Sequence, residues 1–292
     1  MTPLSCSEAS RNSVFRTPES APPMPSPASS PTAGASHTSL VRPRRPERIV
    51  RFPASAGGTV EIDLGRTALV VVDMQNDFLH PDGWFPRAGI DTAPALSIVP
   101  GMVALATALR RAGAPVIFVN WGVRADVANL SASLLDKGRR GGTRPGYAEP
   151  APSGQGCILV QGDWGAATID ALPVEAGDLV VHKHRYSGFH DNELDSILRG
   201  RDVTTLLFAG INTDRCVFAT LTDASFRGYD CVLLADLCAT VARPGVSDMI
   251  LELVDLLYGT VATGAALVAA LDGTPSASPG PSASPTSQET SR

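Results

Sequence analysis

The sequence lacks an excess of positive charge and lacks cysteines in paired spacing. Its 292 residues carry a net charge of -5 at pH 7, with a pI near 5.5, which argues against nucleic acid as the main partner. The basic cluster between Arg42 and Arg51 is interpreted as a solvated linker. The five cysteines are an odd number without CxxC motifs, so the sequence suggests neither a disulfide framework nor a zinc cluster.

The sequence also offers no obvious targeting or membrane segment. We expect no run to be long and apolar enough to cross a bilayer, and the first thirty residues lack the apolar segment of a signal peptide. The default expectation is therefore a cytoplasmic enzyme without a membrane partner.

Both ends of the chain are rich in Pro, Ser, Ala and Thr. Residues 1–48 and 273–292 show almost no apolar periodicity, and such a composition cannot offset the entropy lost on ordering. We predict that both segments are disordered tails. The remaining residues, 49–272, are predicted to form one compact domain of about 220 residues, a size within the usual single-domain range.

Short apolar runs alternate with segments of helical spacing inside this domain. Strands are predicted at 67–72, 115–119, 178–182, 204–209, 230–235 and just after 260, and helices at 99–111, 166–172, 192–199, 216–228 and 246–257, with a last helix ending at 271. This alternation predicts an α/β fold, a three-layer, doubly wound parallel sheet of about six strands with helices on both faces. Residues 122–162 are predicted to be a mostly irregular insertion, and long insertions in compact domains are more often functional than idle.

Polar or reactive residues follow the predicted strands. Asp73 ends the first strand, Asn120 and Trp121 end the second, Lys183 ends the third, and Cys216 lies just beyond the fourth. Taken singly, Asp73 could be a loop cap and Cys216 a core residue. Because ligands of doubly wound sheets bind beyond the carboxyl ends of the strands, their coincidence at one rim predicts a site.

These side chains suit covalent hydrolysis of an amide. A thiol at a helix start lies where unpaired N–H groups favour negative charge, so we expect the Cys216 thiolate to be stabilised. Asp73 can take the thiol proton and return it to the leaving amine, while Lys183 favours the ionised forms. Backbone N–H groups between Asn212 and Cys216 are suitably placed to bind the oxyanion. The expected intermediate is a thioester that water cleaves.

Three motifs, in this order, resemble the isochorismatase-like cysteine hydrolases. They are VVVDMQNDFL at 70–79, HKHRYSGF at 182–189 and GINTDRCV at 210–217, and the resemblance spans roughly residues 60–271. It implies a doubly wound fold with the triad Asp73, Lys183 and Cys216. It also implies a cis peptide bond between Ile211 and Asn212, which would aim backbone N–H groups at the oxyanion.

Within this family, KHRYSGF followed by HDNELDSILR most resembles the branch of ureidoacrylate amidohydrolases, biuret hydrolases and N-carbamoylsarcosine amidases. Isochorismatases proper lack the cysteine. Nicotinamidases carry an Asp and His metal cluster after the second strand, where this chain reads VNWGVR, so we expect no bound metal and no cofactor. The resemblance also implies a homo-oligomer.

The substrate pocket is expected at the strand ends. Its predicted residues are Gln75, Phe78, Asn120, Trp121, Tyr186 and Asn212, with Gln75 also supporting Asp73. Aromatic walls with a few amide groups suit a small, planar urea-like or amide substrate. Four arginines of the insertion could bind a substrate carboxylate, although a solvated loop is the simpler interpretation of Arg124, Arg139, Arg140 and Arg144.

One principal function and two alternatives follow from these residues. The principal hypothesis is a cysteine-dependent amidohydrolase that cleaves a C–N bond of a small ureido or carbamoyl substrate and releases ammonia or an amine. The first alternative is an amidase for a larger amide or lactam of secondary metabolism, as in the streptothricin hydrolases of this superfamily. The second is a non-catalytic binding protein that keeps the fold and recruits partners through its tails.

Overall fold

The computed structural model of the protein describes residues 45–140 and 142–273. The first regular element begins at Ile49 and the last helix ends at Leu271. The predicted disordered tails therefore lie almost entirely outside the described residues.

Eight strands form two sheets in the described part of the chain. They are β1 (Ile49–Pro53), β2 (Thr59–Asp63), β3 (Thr67–Val72), β4 (Val116–Trp121), β5 (Leu179–Lys183), β6 (Thr205–Ile211), β7 (Asp230–Ala239) and β8 (Thr260–Ala262). β1 and β2 pair as an antiparallel hairpin, which the sequence pattern did not predict. The other six strands form one parallel sheet in the order β5-β4-β3-β6-β7-β8.

Helices flank this sheet. They are α1 (Asn76–Leu79), α2 (Trp84–Arg87), α3 (Ala93–Ser97), α4 (Val99–Arg111), α5 (Ala132–Arg139), α6 (Leu194–Gly200), α7 (Phe218–Phe226), α8 (Val246–Leu253) and α9 (Gly264–Leu271). α4 packs against α9, whereas α7 and α8 both contact β7. Every residue of β3, β4 and β6 is buried, as expected for parallel strands that are covered on both faces. The predicted α/β fold with a six-stranded parallel sheet is confirmed.

One predicted helix is wrong and one short helix was not predicted, each for a local reason. The helix predicted at 166–172 is reduced to a three-residue 3-10 turn, Trp164–Ala166. The segment after this turn does not form a helix, because Thr168 forms an antiparallel bridge with Gln75. Conversely, α5 forms inside the insertion that was expected to be mostly irregular. Its first turn is capped by Ser131, whose Oγ accepts the N–H of Leu134.

One segment in the described residues, Ala93–Arg111, is long and apolar enough to cross a membrane by length and composition alone. The expectation that no such run exists is therefore wrong. The segment comprises α3 and α4, and Met102, Leu105 and Leu109 of α4 are fully buried in the hydrophobic core. The core helix of a globular protein passes the same length and hydropathy test.

The strand order places a topological switch point between β3 and β6. The chain builds the sheet outward from β3 through β4 to β5, and then returns to the other side of β3 with β6. Such a reversal opens a crevice at the carboxyl ends of the two central strands. Asp73 directly follows β3, and Cys216 lies in the π-helical turn Thr213–Val217 that follows β6.

Gly210 permits close approach of β3 and β6 at this crevice. Its φ is +121°, and an added Cβ would meet Val72 O and lie 2.7 Å from Val72 N. We expect Gly210→Ala to lower the free energy of unfolding, measured in urea, by about 3 kcal/mol or more, because both φ and the backbone contact are unfavourable.

Gly228→Ala is the matched control for this substitution. Gly228 also has positive φ, +85°, but no atom lies within 4 Å of its added Cβ. Its expected loss is about 1–2 kcal/mol, the cost of the left-handed conformation alone. Equal losses for the two variants would contradict the role of close strand approach at Gly210.

Candidate active site

Asp73 and Lys183 form a buried ion pair above the ends of β3 and β5. Asp73 Oδ2 lies 2.9 Å from Lys183 Nζ, and their side chains are 2% and 0% exposed. Lys183 Nζ also donates to Arg185 O at 3.3 Å and lies 4.1 Å from the centroid of the Trp121 ring. Because removing two charges from water is costly, a buried pair is weak evidence for a purely stabilising role.

Asp73 has an unusual backbone and a free carboxylate oxygen. Its φ is +54°, a region that residues other than glycine rarely adopt. Its Oδ1 atom is buried and has no hydrogen-bond partner in the described part of the chain. Burial raises the pKa of the Asp73 carboxyl, and this rise is opposed by Lys183 and by the nearby Cys216 thiol. The side chain thus offers an oxygen that is ready to accept a proton.

The Cys216 thiol is buried beside this ion pair and is 5% exposed. Burial raises its pKa above the ordinary value of 9.0, and the negative charge of Asp73 raises it further, whereas Lys183 lowers it. The expectation of a stabilised resting thiolate is therefore wrong. Desolvation at this position outweighs the favourable field of the helix start. The raised pKa favours the protonated thiol, which then needs a base when it reacts.

The backbone between β6 and Cys216 forms a tight turn. The peptide bond between Ile211 and Asn212 is cis, as the family resemblance implies. Asn212 O accepts the N–H groups of Arg215 at 3.0 Å and Val217 at 3.2 Å. The N–H of Cys216 lies between these two donors and makes no hydrogen bond to a backbone group outside the turn Thr213–Val217 in the described part of the chain.

A cavity of about 420 Å³ opens beside these groups, with Asp73 and Cys216 in its lining. One part of its wall is aromatic and apolar and is formed by Phe78, Trp84, Phe85, Ile90, Trp121, Tyr147, Tyr186 and Val241, whereas the rest is polar or cationic. Trp121 stacks on Tyr147 with centroids 5.4 Å apart and meets the Tyr186 ring edge-on at 5.5 Å. Of the predicted substrate contacts, the structure brings four to this cavity: Phe78, Trp121, Tyr186 and Asn212.

Gln75 and Asn120 lie outside the cavity lining, contrary to the prediction. Successive side chains of a strand point to opposite faces, so Asn120 points away from Trp121 and donates to Thr168 Oγ1 at 2.9 Å. Gln75 Oε1 accepts the Trp121 N–H, and its Nε2 donates to Trp121 O and Ala166 O, each at 2.7 Å. The Gln75 side chain therefore holds the backbone of Trp121, and the Gln75 backbone N–H donates to Asp73 O at 2.8 Å.

Five cavity residues come from the insertion, namely Lys137, Gly138, Arg140, Arg144 and Tyr147. The sequence indicated Arg140 and Arg144 as possible ligands of a carboxylate and did not indicate the other three. Asp77 anchors the insertion, since its Oδ2 accepts the Leu159 N–H at 2.8 Å, and Trp84 Nε1 donates to Pro145 O at 2.9 Å. The only signal in the sequence was the length and arginine content of the segment, because no periodicity indicates which of its side chains turn inward.

The sequence matches the Isochorismatase domain family over residues 67–266. It is 35% identical, over 258 residues, to the ureidoacrylate amidohydrolase RutB of Methylobacterium radiotolerans, which covers 88% of this chain and 95% of the relative. A cysteine hydrolase structure from Pseudomonas syringae pv. phaseolicola has a TM-score of 0.62 at 28% identity, over 78% of this chain and 98% of that one. N-carbamoylsarcosine amidase from Thermoplasma acidophilum has a TM-score of 0.52 at 31% identity, over 68% and 96%. The resemblance predicted from the three motifs is confirmed, and this chain belongs to the isochorismatase family.

Proposed function

We propose that this chain hydrolyses a C–N bond of a small ureido or carbamoyl compound, with Cys216 as nucleophile. The observation that carries the proposal is the meeting of the Cys216 thiol with the buried Asp73–Lys183 pair in one cavity. The names of two relatives, an amidohydrolase and an amidase, support the same class of reaction.

In the first half of the proposed reaction, Asp73 takes the thiol proton as Cys216 Sγ attacks the carbonyl carbon. Lys183 helps to keep the carboxylate ionised until that transfer. The carbonyl oxygen becomes an oxyanion, and the backbone N–H of Cys216 donates to it. When the tetrahedral intermediate collapses, the C–N bond breaks and Asp73 returns the proton to the nitrogen, which leaves as ammonia or an amine.

The second half hydrolyses the thioester that remains on Cys216. Asp73, again ionised, takes a proton from a water molecule whose oxygen attacks the thioester carbon. Collapse of this second intermediate breaks the C–S bond, and the proton on Asp73 passes to the departing sulfur. The free thiol is thereby restored, and one water molecule has been consumed for each C–N bond broken.

Release of ammonia from a panel of substrates tests this proposal. The panel contains N-carbamoyl amino acids, alkylureas, biuret and simple primary amides. We expect turnover of ureido or carbamoyl compounds to exceed that of simple amides by at least about tenfold in kcat/KM, since shape and hydrogen bonding discriminate related substrates by this order. Absence of turnover for every ureido and carbamoyl compound would overturn the proposal.

A larger amide or lactam is the second candidate substrate, and one feature favours it. A further cavity of about 260 Å³ adjoins the first and shares Trp84, Arg140 and Arg144 in its lining. A bulky substrate could extend into this space. Faster hydrolysis of lactams than of N-carbamoyl amino acids would favour this candidate over the first.

The pH profile of kcat/KM follows from the raised pKa of Asp73. Burial moves this pKa above its ordinary value of 3.8, and only the ionised carboxylate can accept the thiol proton. Activity should therefore fall as the pH drops through the raised pKa, and the midpoint of this acid limb of the profile should lie above pH 3.8. Initial rates between about pH 4 and pH 9 measure this limb. An acid limb at or below the ordinary value would contradict Asp73 as a buried base.

A further inference from the structure

Strand β3 leaves the sheet at Asp73, one residue before its neighbour β4 ends. The Asp73 N–H still donates to Val119 O at 3.1 Å, as a parallel ladder requires. One step further, a continued ladder would join the Trp121 N–H to Asp73 O. That carbonyl instead accepts the Gln75 N–H at 2.8 Å, because the chain turns at Asp73, where φ is +54°. The turn therefore takes away the backbone acceptor that Trp121 would have in a continued ladder.

The side-chain amide of Gln75 takes the place of this missing ladder residue. Its Oε1 accepts the Trp121 N–H, and its Nε2 donates to Trp121 O and to Ala166 O, each at 2.7 Å. Both amide hydrogens are therefore used, and Gln75 is 0% exposed. On the side of β4 that faces β5, the Gly122 N–H donates to Lys183 O at 2.7 Å. The backbone around Trp121 is thus held from both sides.

The ring of Trp121 contacts the cation of the buried ion pair. Trp121 and Lys183 are paired in the register of β4 and β5, so their side chains leave the sheet on the same face. Lys183 Nζ lies 4.1 Å from the centroid of the Trp121 ring, within the range of a cation–π interaction. It also lies 2.9 Å from Asp73 Oδ2 and donates to Arg185 O at 3.3 Å. Because Lys183 is fully buried, the ring and the two oxygens replace the water that an exposed ammonium ion would bind.

Displacement of Trp121 would change the ionisation of both reacting groups. Burial raises the pKa of the Asp73 carboxyl, whereas Lys183, the Cys216 thiol and the backbone N–H of Trp121 oppose this rise. Burial and the charge of Asp73 raise the pKa of the Cys216 thiol, and Lys183 opposes that rise as well. A less closely held ammonium ion would leave both pKa values higher.

We propose that Gln75 is a positioning residue, which holds Trp121 against Lys183 and so keeps that ammonium ion on its carboxylate partner. Gln75 lies outside the cavity lining, so it acts through Trp121 and makes no contact with the substrate. The inference rests on the proposed function, in which Asp73 is the base and Cys216 is the nucleophile. Loss of the Gln75 amide should therefore make the thiol harder to ionise.

The rate of Cys216 alkylation by iodoacetamide tests the inference without a substrate. Below the pKa of a thiol this rate is proportional to the thiolate fraction, so a higher pKa lowers the rate. We expect Gln75→Met, which keeps the length of the side chain and removes its amide, to slow alkylation at about pH 8 by about threefold or more. Mass spectrometry of the peptide that contains Cys216 measures the rate. Looser packing alone would expose the thiol and speed alkylation instead.

Gln75→Asn is the conservative second variant. It keeps an amide on a side chain that is one methylene shorter, so we expect it to keep part of the hydrogen bonds to Trp121 and Ala166. Its alkylation should be slowed less than that of Gln75→Met. In turnover, the acid limb of kcat/KM should move to higher pH in the same order, since the pKa of Asp73 rises with the loss of the amide.

Asn76→Leu is the matched control. Asn76 is 4% exposed, and its Nδ2 donates to Trp164 O at 2.9 Å, so it holds the same neighbouring turn as Gln75 without a hydrogen bond to Trp121. This variant should lower the urea midpoint of unfolding about as much as Gln75→Met does. Its alkylation rate should stay within about twofold of the wild-type rate.

Two results would overturn the inference: alkylation of Gln75→Met at the wild-type rate or faster, or equal slowing in Asn76→Leu. If Gln75→Met does not fold, the same comparison is decided by Gln75→Asn. If alkylation slows as expected but the wild-type protein hydrolyses no ureido or carbamoyl compound, the proposed function fails and the positioning role stands. If such compounds are hydrolysed and alkylation is unchanged in the Gln75 variants, the reverse holds.

Discussion

Replacing Cys216 with alanine should lower kcat/KM for the best ureido substrate by roughly 10⁴-fold or more, because no other thiol lines the cavity in the described residues. The substitution removes one sulfur atom from a nearly buried side chain, so the free energy of unfolding should change by no more than about 2 kcal/mol. Steady-state kinetics and urea unfolding of the same preparations separate loss of chemistry from loss of folding.

Cys231→Ala is the matched control for the thiol. Cys231 is also buried, at 4% exposed, but its Sγ donates to Tyr229 O at 3.5 Å and to Leu221 O at 3.6 Å, away from the cavity. We expect this variant to lose stability to a similar extent and to keep its activity. Turnover that persists in Cys216→Ala would contradict the cysteine mechanism and would indicate that another group is the nucleophile.

Breaking the Asp73–Lys183 pair is expected to have the second largest effect. Lys183→Met leaves the Asp73 carboxylate buried at 2% exposure without its cation, and loss of one partner of a buried pair costs about 3–5 kcal/mol. Activity should fall by roughly 10³-fold or more, since the pKa of Asp73 then rises further and less of the base is ionised. Unfolding in urea and kcat/KM measure the two effects.

Two further variants, Asp73→Asn and the double variant Asp73→Asn, Lys183→Met, complete a double-mutant cycle for this ion pair. Asparagine also tolerates positive φ, so Asp73→Asn removes the charge without changing the backbone preference at φ +54°. The double variant should recover much of the stability lost in Lys183→Met, because no unpaired charge remains buried, but it should recover no activity. Recovery of activity together with stability would show that the pair is structural and that Asp73 is not the base.

Local sequence signals were sufficient to place the strands of the parallel sheet along the chain, but not to predict their order in the sheet. The runs TALVVV and LLFA predicted β3 and β6 because a strand covered on both faces must be apolar at every position. The same logic placed Asp73 and Cys216 just beyond these strands, where parallel strands end together. The β1–β2 hairpin was missed, since its strands IVRFP and TVEID are half-exposed and short.

The protonation state of the thiol could not be predicted from the sequence. A cysteine near a helix start suggested a stabilised thiolate, and that local argument is correct for an exposed site. Burial of Cys216 by residues distant in the chain reverses the balance and raises its pKa. Desolvation depends on everything that surrounds the group, and only the packed structure supplies that information.

By itself the sequence determined that a parallel α/β sheet carries Asp73, Lys183 and Cys216 at its carboxyl edge, since periodicity and strand ends are local properties. The tertiary structure alone decided which neighbours face the cavity. In the folded chain Asn120 points away from the cavity and donates to Thr168, whereas Arg144 of the insertion lines the cavity. These placements depend on contacts between residues far apart in the chain, such as the bond from Leu159 N to Asp77, which no local pattern encodes.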